Sequence, residues 1–233
     1  MFDTSRRSSL PFATKKSIAL DIALGLSALH GCGVIHGDIK PENVLIFYNL
    51  KLHAKIADFS HSFLDTGHIR HLVGGTAAYA APEWKTLAST SELLRTDVYS
   101  YGLIFSGLIL GSELMDCIRF DNDHSAPTHN QSKQEDFQRL KDKDLMRCHL
   151  YELILDADRE RPELHLEELP MINTILLSTL QLDPRKRNLG TVIQCLSARF
   201  VPAYGVIIDQ QRMLMITEGS RRSQKNFESY KSP

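Results

Sequence analysis

Long apolar runs, paired cysteines and a dominant charge sign are all missing from this sequence. The richest apolar stretch, Val98 to Leu110, is too short to span a bilayer and carries Tyr99, Ser100, Tyr101 and Ser106. No membrane partner is expected. Met1 to Lys16 lacks the apolar core of a secretory signal, and its Arg/Ser bias reads as a connecting loop. A cytoplasmic location is expected, with a nuclear one as the alternative. Cys32, Cys117, Cys148 and Cys195 lie far apart and form no Cys-x-x-Cys pair. They read as free or buried thiols, not as a disulfide frame or zinc site. A formal net charge of -1 leaves no basic footprint for nucleic acid. What remains is an ordinary globular composition, 42% hydrophobic over 233 residues, enough for one domain with a sizeable core.

The organisation follows from periodicity. Ser17 to His30 predicts an amphipathic helix, with Ile18, Ile22, Leu26 and Leu29 on one face and Gly31 and Gly33 as its stop. Three short strand-like runs follow: Val34-Ile35, Asn43 to Phe47 and Ala54 to Ala57. Thr66 to Ala81, rich in Gly, Thr and Ala, reads as an ordered loop. Thr96 to Gly111 is apolar on nearly every face, so a helix there belongs in the middle of a core. Residues 121–170 are polar and charge-mixed; one or two surface helices and a long loop around Asp121 to Lys133 are expected. Leu169 to Leu182 and Thr191 to Ala198 predict two more helices. The expected division is a linker at 1–16, a folded lobe at 17–200 and an extension at 201–233, disordered after 219.

One constellation carries chemistry. His36-Gly37-Asp38-Ile39-Lys40-Pro41-Glu42-Asn43 sits between two strand-like runs, with a carboxylate five residues ahead of an amide and a lysine two residues after the carboxylate. Phosphoryl transfer uses this set: a carboxylate to orient the incoming hydroxyl, an amide oxygen to help hold Mg²⁺, and a cation for the moving phosphate. Asp58-Phe59-Ser60 follows a strand fifteen residues after Asn43 and offers a second carboxylate. A lone His-x-Asp is weak, since a core histidine beside a surface aspartate is commoner. The complete spacing is far more specific.

These segments, with Ala81-Pro82-Glu83, Gly75-Thr76, Asp97 and Arg187, resemble the ordered signature of eukaryotic protein kinases over roughly residues 17 to 200. The resemblance implies a mainly α (α+β) fold, the C-terminal lobe of a kinase with helices around a buried central one and short strands at the catalytic loop. It implies a Ser/Thr-type protein kinase that uses ATP and Mg²⁺ and takes a protein substrate. Asp38 resembles the catalytic base, Lys40 the lysine on the γ-phosphate, and Asn43 and Asp58 the Mg²⁺ ligands. Thr76 resembles the threonine that bonds Asp38 and Lys40. Glu83 and Arg187 resemble the ion pair that anchors the activation segment, and Asp97 the carboxylate that holds the catalytic-loop backbone. Aspartate at the start of an apolar helix would also cap it.

Three positions depart from the pattern. Gly37 stands where the family has an arginine that binds an activation-loop phosphate, which removes that route to phosphorylation-dependent switching. Ser60 replaces the glycine of Asp-Phe-Gly, which should restrict a flip of that segment. Only 35 residues precede His36, and they hold no Gly-x-Gly-x-x-Gly segment and no strand lysine. The expectation is a truncated chain without an N-lobe and with weak activity of its own. Two alternatives stand beside it: a pseudokinase or scaffold that binds partners, and a small-molecule phosphotransferase of the aminoglycoside or choline kinase kind.

Overall fold

A computed structural model describes residues 10–67, 75–84, 89–111, 137–160 and 168–198 of the chain. The expected loop around Asp121 to Lys133 and the extension at 201–233 lie outside the described residues, as does part of Thr66 to Ala81. The first helix, α1, spans Phe12–Gly31 and so begins five residues before the apolar period at Ser17 suggests. Pro11 starts it: the N–H groups of Thr14 and Lys15 donate to the Pro11 carbonyl at 2.9 and 3.1 Å. A proline just ahead of a helix loses no N–H bond that the helix needs. Ile18, Ala19, Ile22, Ala23 and Leu26 bury one face. The chain leaves the helix through Gly33, whose φ of 70° is a left-handed angle that glycine adopts without strain.

The strands are short and pair in two separate two-stranded sheets. β1 (Val34–Ile35) pairs antiparallel with β4 (Phe63–Leu64), Ile35 opposite Phe63. β2 (Val44–Asn49) and β3 (Lys51–Ile56) form a hairpin with Val44 opposite Ile56. The catalytic-loop segment therefore runs from β1 to β2, and Asp58-Phe59-Ser60 runs from β3 towards β4. Two strand pairs hold the two chemical segments side by side.

The central helix, α2, spans Thr90–Leu110, starting six residues earlier than its apolar run. Ser89 and Glu92 form a capping box, the Ser89 N–H donating to Glu92 Oε2 at 3.0 Å. Val98, Tyr99, Tyr101, Leu103, Ile104 and Phe105 are all buried, which is what a helix apolar on every face demands. Gly111, at φ 73°, closes it. The remaining helices are α3 (Met146–Glu160), α4 (Leu169–Thr179) and α5 (Leu189–Ser197), and residues 137–142 are also helical. They bury Met146, Leu150 and Ile154; Ile172, Ile175 and Leu176; and Val192 and Leu196, in one core with α1 and α2. The lobe is mainly helical, with few strands. None of the described helices is long and apolar enough to cross a membrane. Cys32, Cys148 and Cys195 are free thiols.

Candidate active site

Asp38 is buried and sits where three groups converge on its carboxylate. Thr76 Oγ1 donates to Oδ1 at 2.9 Å, Lys40 Nζ lies 2.7 Å from Oδ2, and Asn43 Nδ2 donates to Oδ2 at 3.3 Å. Burial is the largest single influence on the Asp38 carboxyl and opposes its ionisation. The hydrogen bonds from Lys40 and Thr76, with the charge of Lys40, together outweigh it and hold the carboxyl below its ordinary range. Asp38 is therefore an anion at neutral pH. Lys40 Nζ also donates to Thr76 Oγ1 at 2.9 Å, so one hydroxyl bridges the acid and the cation.

Asn43 spends its amide nitrogen on Asp38, with a second and shorter bond to the Asp38 carbonyl at 2.8 Å. That orientation leaves the amide oxygen as the end available to a cation. Asp58 is one residue beyond Ala57, whose N–H donates to the Asn43 carbonyl at 2.9 Å. Its φ of 64° is uncommon for a residue with a side chain, and such angles gather at functional sites. Hydrogen bonds from Ser60 hold its exposed carboxyl below the ordinary range. Asp38 and Asp58 both lie within electrostatic reach of Lys40 and His61. The structure thus brings Asp38, Lys40, Asn43 and Thr76 into direct contact and sets Asp58 beside them, within electrostatic reach of Lys40.

The scaffold beneath is held by Asp97. Its two carboxylate oxygens accept the His36 and Gly37 N–H groups at 2.9 and 3.0 Å, and His30 Nε2 lies 3.1 Å away. Asp97 does not cap α2, because the helix begins at Thr90 and Asp97 lies two turns inside it. Its work is to hold the catalytic loop, as the resemblance implies. His36 is fully buried. Its Nδ1 accepts the Asp38 N–H at 3.3 Å, which leaves the ring proton on Nε2 for the Ala57 carbonyl at 3.2 Å. One imidazole thereby ties the loop of Asp38 to the segment of Asp58. Gly37, at φ 79°, occupies backbone that glycine takes without cost, and the Gly37 carbonyl lies 3.2 Å from where a Cβ on Gly75 would stand. A Cβ on Gly75 would crowd that carbonyl, and its φ of 120° also favours glycine.

Arg187 is fully buried and pairs with Glu83, its Nη2 donating to Oε2 at 2.9 Å. It also donates to the carbonyls of Gln181, Arg95 and Leu182 at 2.8, 3.1 and 3.3 Å. The Tyr99 ring lies 4.9 Å beneath its guanidinium. The expected ion pair is present, anchoring the segment after Thr76 to the end of the lobe.

A protein kinase domain model matches residues 2–201. The chain belongs to the protein kinase family. Similar to this kinase chain is the G-type lectin S-receptor-like serine/threonine-protein kinase SD2-5 of Arabidopsis thaliana, 41% identical over 46% of the chain and 13% of that relative. The proline-rich receptor-like protein kinase PERK1 of the same plant is 36% identical over 58% of the chain and 22% of its own length. The receptor protein kinase WSS1 of Oryza sativa subsp. japonica is 35% identical over 46% of the chain and 12% of the relative. The kinase chain thus spans less than a quarter of these curated relatives.

Sequence reasoning missed two features around the site. His61 lies close enough to Asp38 and Asp58 to influence both carboxylates, and nothing in its surroundings in sequence flags it. Lys141 donates to the Ala77, Ala78 and Ala80 carbonyls at 2.8, 3.1 and 2.6 Å. It lies in the charged run Lys141-Asp142-Lys143-Asp144, which reads as a solvated surface.

Proposed function

We propose that this chain transfers the γ-phosphate of ATP to serine or threonine hydroxyls of a protein substrate. The observation that carries the reading is the Thr76 hydroxyl, which donates to Asp38 and accepts from Lys40, both at 2.9 Å. A base and a phosphate-facing cation are held in fixed relation before any substrate arrives, and preorganisation of this kind accounts for much of phosphoryl-transfer catalysis. The substrate hydroxyl oxygen attacks the γ-phosphorus and the bond to the β-phosphate oxygen breaks. Asp38 orients the hydroxyl and takes its proton. Lys40 faces the phosphate as charge redistributes over its oxygens.

The oxygen donors suit Mg²⁺. The Asn43 amide oxygen and the ionised Asp58 carboxylate would hold it, and such sites take one or two protein groups with water and phosphates completing the shell. When bound, the ion neutralises charge on the phosphate oxygens.

The Ser/Thr naming of the plant relatives and the lysine at position 40 support a hydroxyl acceptor of the Ser/Thr class. No Gly-x-Gly-x-x-Gly segment of the kind that grips the nucleotide phosphates occurs in these 233 residues. We therefore expect slow transfer by this chain alone, in a cytoplasmic or nuclear setting. The test is incubation with radiolabelled Mg-ATP and a generic protein substrate, followed by phosphoamino-acid analysis. Label on phosphoserine and phosphothreonine is expected. Label only on small-molecule alcohols, or on no acceptor under forcing conditions, would overturn the reading.

A further inference from the structure

Lys141 is 1% exposed and places each of its three N–H donors on a backbone carbonyl of one short loop, those of Ala77, Ala78 and Ala80. Lysine ordinarily keeps its ammonium in water and buries only its stem. Here the head is the buried part. The Phe137 ring lies 4.7 Å from Nζ and covers it from its own helical segment. Three donors meeting three acceptors is the full complement an ammonium can satisfy.

What the three carbonyls belong to gives the contact its meaning. The Tyr79 and Ala80 N–H groups donate to the Thr76 carbonyl at 2.8 and 3.0 Å, so residues 76–80 form one tight turn. Its N–H groups close on Thr76, and its carbonyls close on Lys141. The side chains in that turn are mostly alanines, which carry no polar group to hold it in place. At its head stands Thr76, whose single hydroxyl must reach Asp38 and Lys40 together. A shift of about 1 Å would break both bonds, and displacements of that size can cost roughly 10²-fold in rate.

From this geometry we infer that Lys141 is a positioning residue for phosphate transfer, clamping the turn at residues 76–80 so that Thr76 bridges Asp38 and Lys40. It touches neither substrate nor nucleotide, and its effect passes through the loop backbone. The inference rests on the kinase reading of the site. Exchange and kinetic measurements together separate the two.

At about pH 6, where the Lys141 head holds all three protons, the full chain is compared with Lys141→Met, which keeps the stem and removes the donors. Two further variants are Lys141→Gln, with two N–H donors for three carbonyls, and Lys141→Arg, which restores a cation. Amide hydrogen exchange at Tyr79 and Ala80 should quicken roughly tenfold or more in the Met variant, as expected for losing charge-assisted bonds. Gln should fall between, and Arg should recover protection, while the α2 amides from Val98 to Phe105 keep theirs. In transfer assays, the Met variant should raise the peptide KM and lower kcat together, leaving the ATP KM unchanged. A drop in kcat alone, with the peptide KM unchanged, reflects only a smaller folded fraction and overturns the positioning role. The inference is overturned if the Met variant leaves loop exchange unchanged, or if α2 and the loop lose protection together in all three variants. If wild type itself shows no transfer, the kinase reading fails, and the exchange arm still decides whether Lys141 clamps the loop.

Discussion

Thr76 carries more of the site than a single hydroxyl usually does. It gives its proton to Asp38 and receives one from Lys40, so it closes a triangle with an anion and a cation already in contact at 2.7 Å. Replacing it by valine keeps the shape and removes both bonds, each worth about 1.5–3 kcal/mol where a charged partner is involved. We expect Thr76→Val to lower transfer by roughly tenfold or more, and Thr76→Ser to keep most of it. Steady-state kinetics on both variants check this. Equal activity in the two would remove Thr76 from the mechanism. These residues were legible from sequence because their chemistry depends on spacing along the chain. Asp38, Lys40 and Asn43 lie within one loop, where sequence distance and spatial distance are nearly the same. Lys141 was not legible, since its partners lie more than sixty residues away and are backbone atoms, which no side-chain pattern reports.

At the scale of elements, α2 determines where the site sits. Its all-round apolar character was readable, but its start was not. The Ser89-Thr90-Ser91-Glu92 stretch is a capping-box pattern ahead of an apolar run, and it places Asp97 inside the helix. β4 was missed because two residues, Phe63–Leu64, show no period, and their partner strand is distant in sequence. The crossing of α2 with the end of α4 gives a test. A Cβ on Gly102 would fall on Thr179 Oγ1, 2.7 Å from Thr179 Cβ and 2.9 Å from Leu180 Cδ2. Alanine improves helix propensity by about 1 kcal/mol. Overpacking typically costs about 1–3 kcal/mol, and here the obstructing atoms include a Cβ fixed to backbone. The clash wins, so Gly102→Ala should be destabilising in urea unfolding despite the better helix former. A stabilised variant would mean the helices separate freely.

The buried ion pair belongs to this scale too. Arg187→Met removes a partner of Glu83 and takes donors from the Gln181, Arg95 and Leu182 carbonyls. Breaking a buried pair from one side costs about 3–5 kcal/mol, and a loss of that size is expected in the same unfolding experiment. Lys141 adds a pH dependence. Burial pushes its ammonium down to about 7 from an ordinary 10.5, against the upward pull of Asp142 and Glu83. Between those values the unfolded chain holds a proton that the folded chain has released. The unfolding free energy contributed by this group therefore rises with pH from about 7 and levels off near 10.5. Melting temperatures taken from about pH 6.5 to 8.5 should climb more steeply in wild type than in Lys141→Met. Parallel curves would contradict a depressed lysine.

For the whole molecule, one lobe gathers the Asp38 carboxylate, the Lys40 ammonium and the Thr76 hydroxyl, with Asn43 and Asp58 beside them. The helices behind them are scaffold. Arg187 and Glu83 fasten one end of the segment after Thr76, and Lys141 fastens its turn. The central claim is that Asp38 receives the hydroxyl proton during transfer. The most direct measurement is single-turnover transfer of radiolabelled γ-phosphate to a Ser/Thr substrate, with the chain in excess so that slow rates are seen. Wild type is compared with Asp38→Asn, which keeps the size and removes the base. Loss of a positioned general base typically costs about 10²–10⁴-fold. The account predicts slow transfer by wild type and a fall of that order to the blank in Asp38→Asn. Equal rates in the two proteins would contradict it.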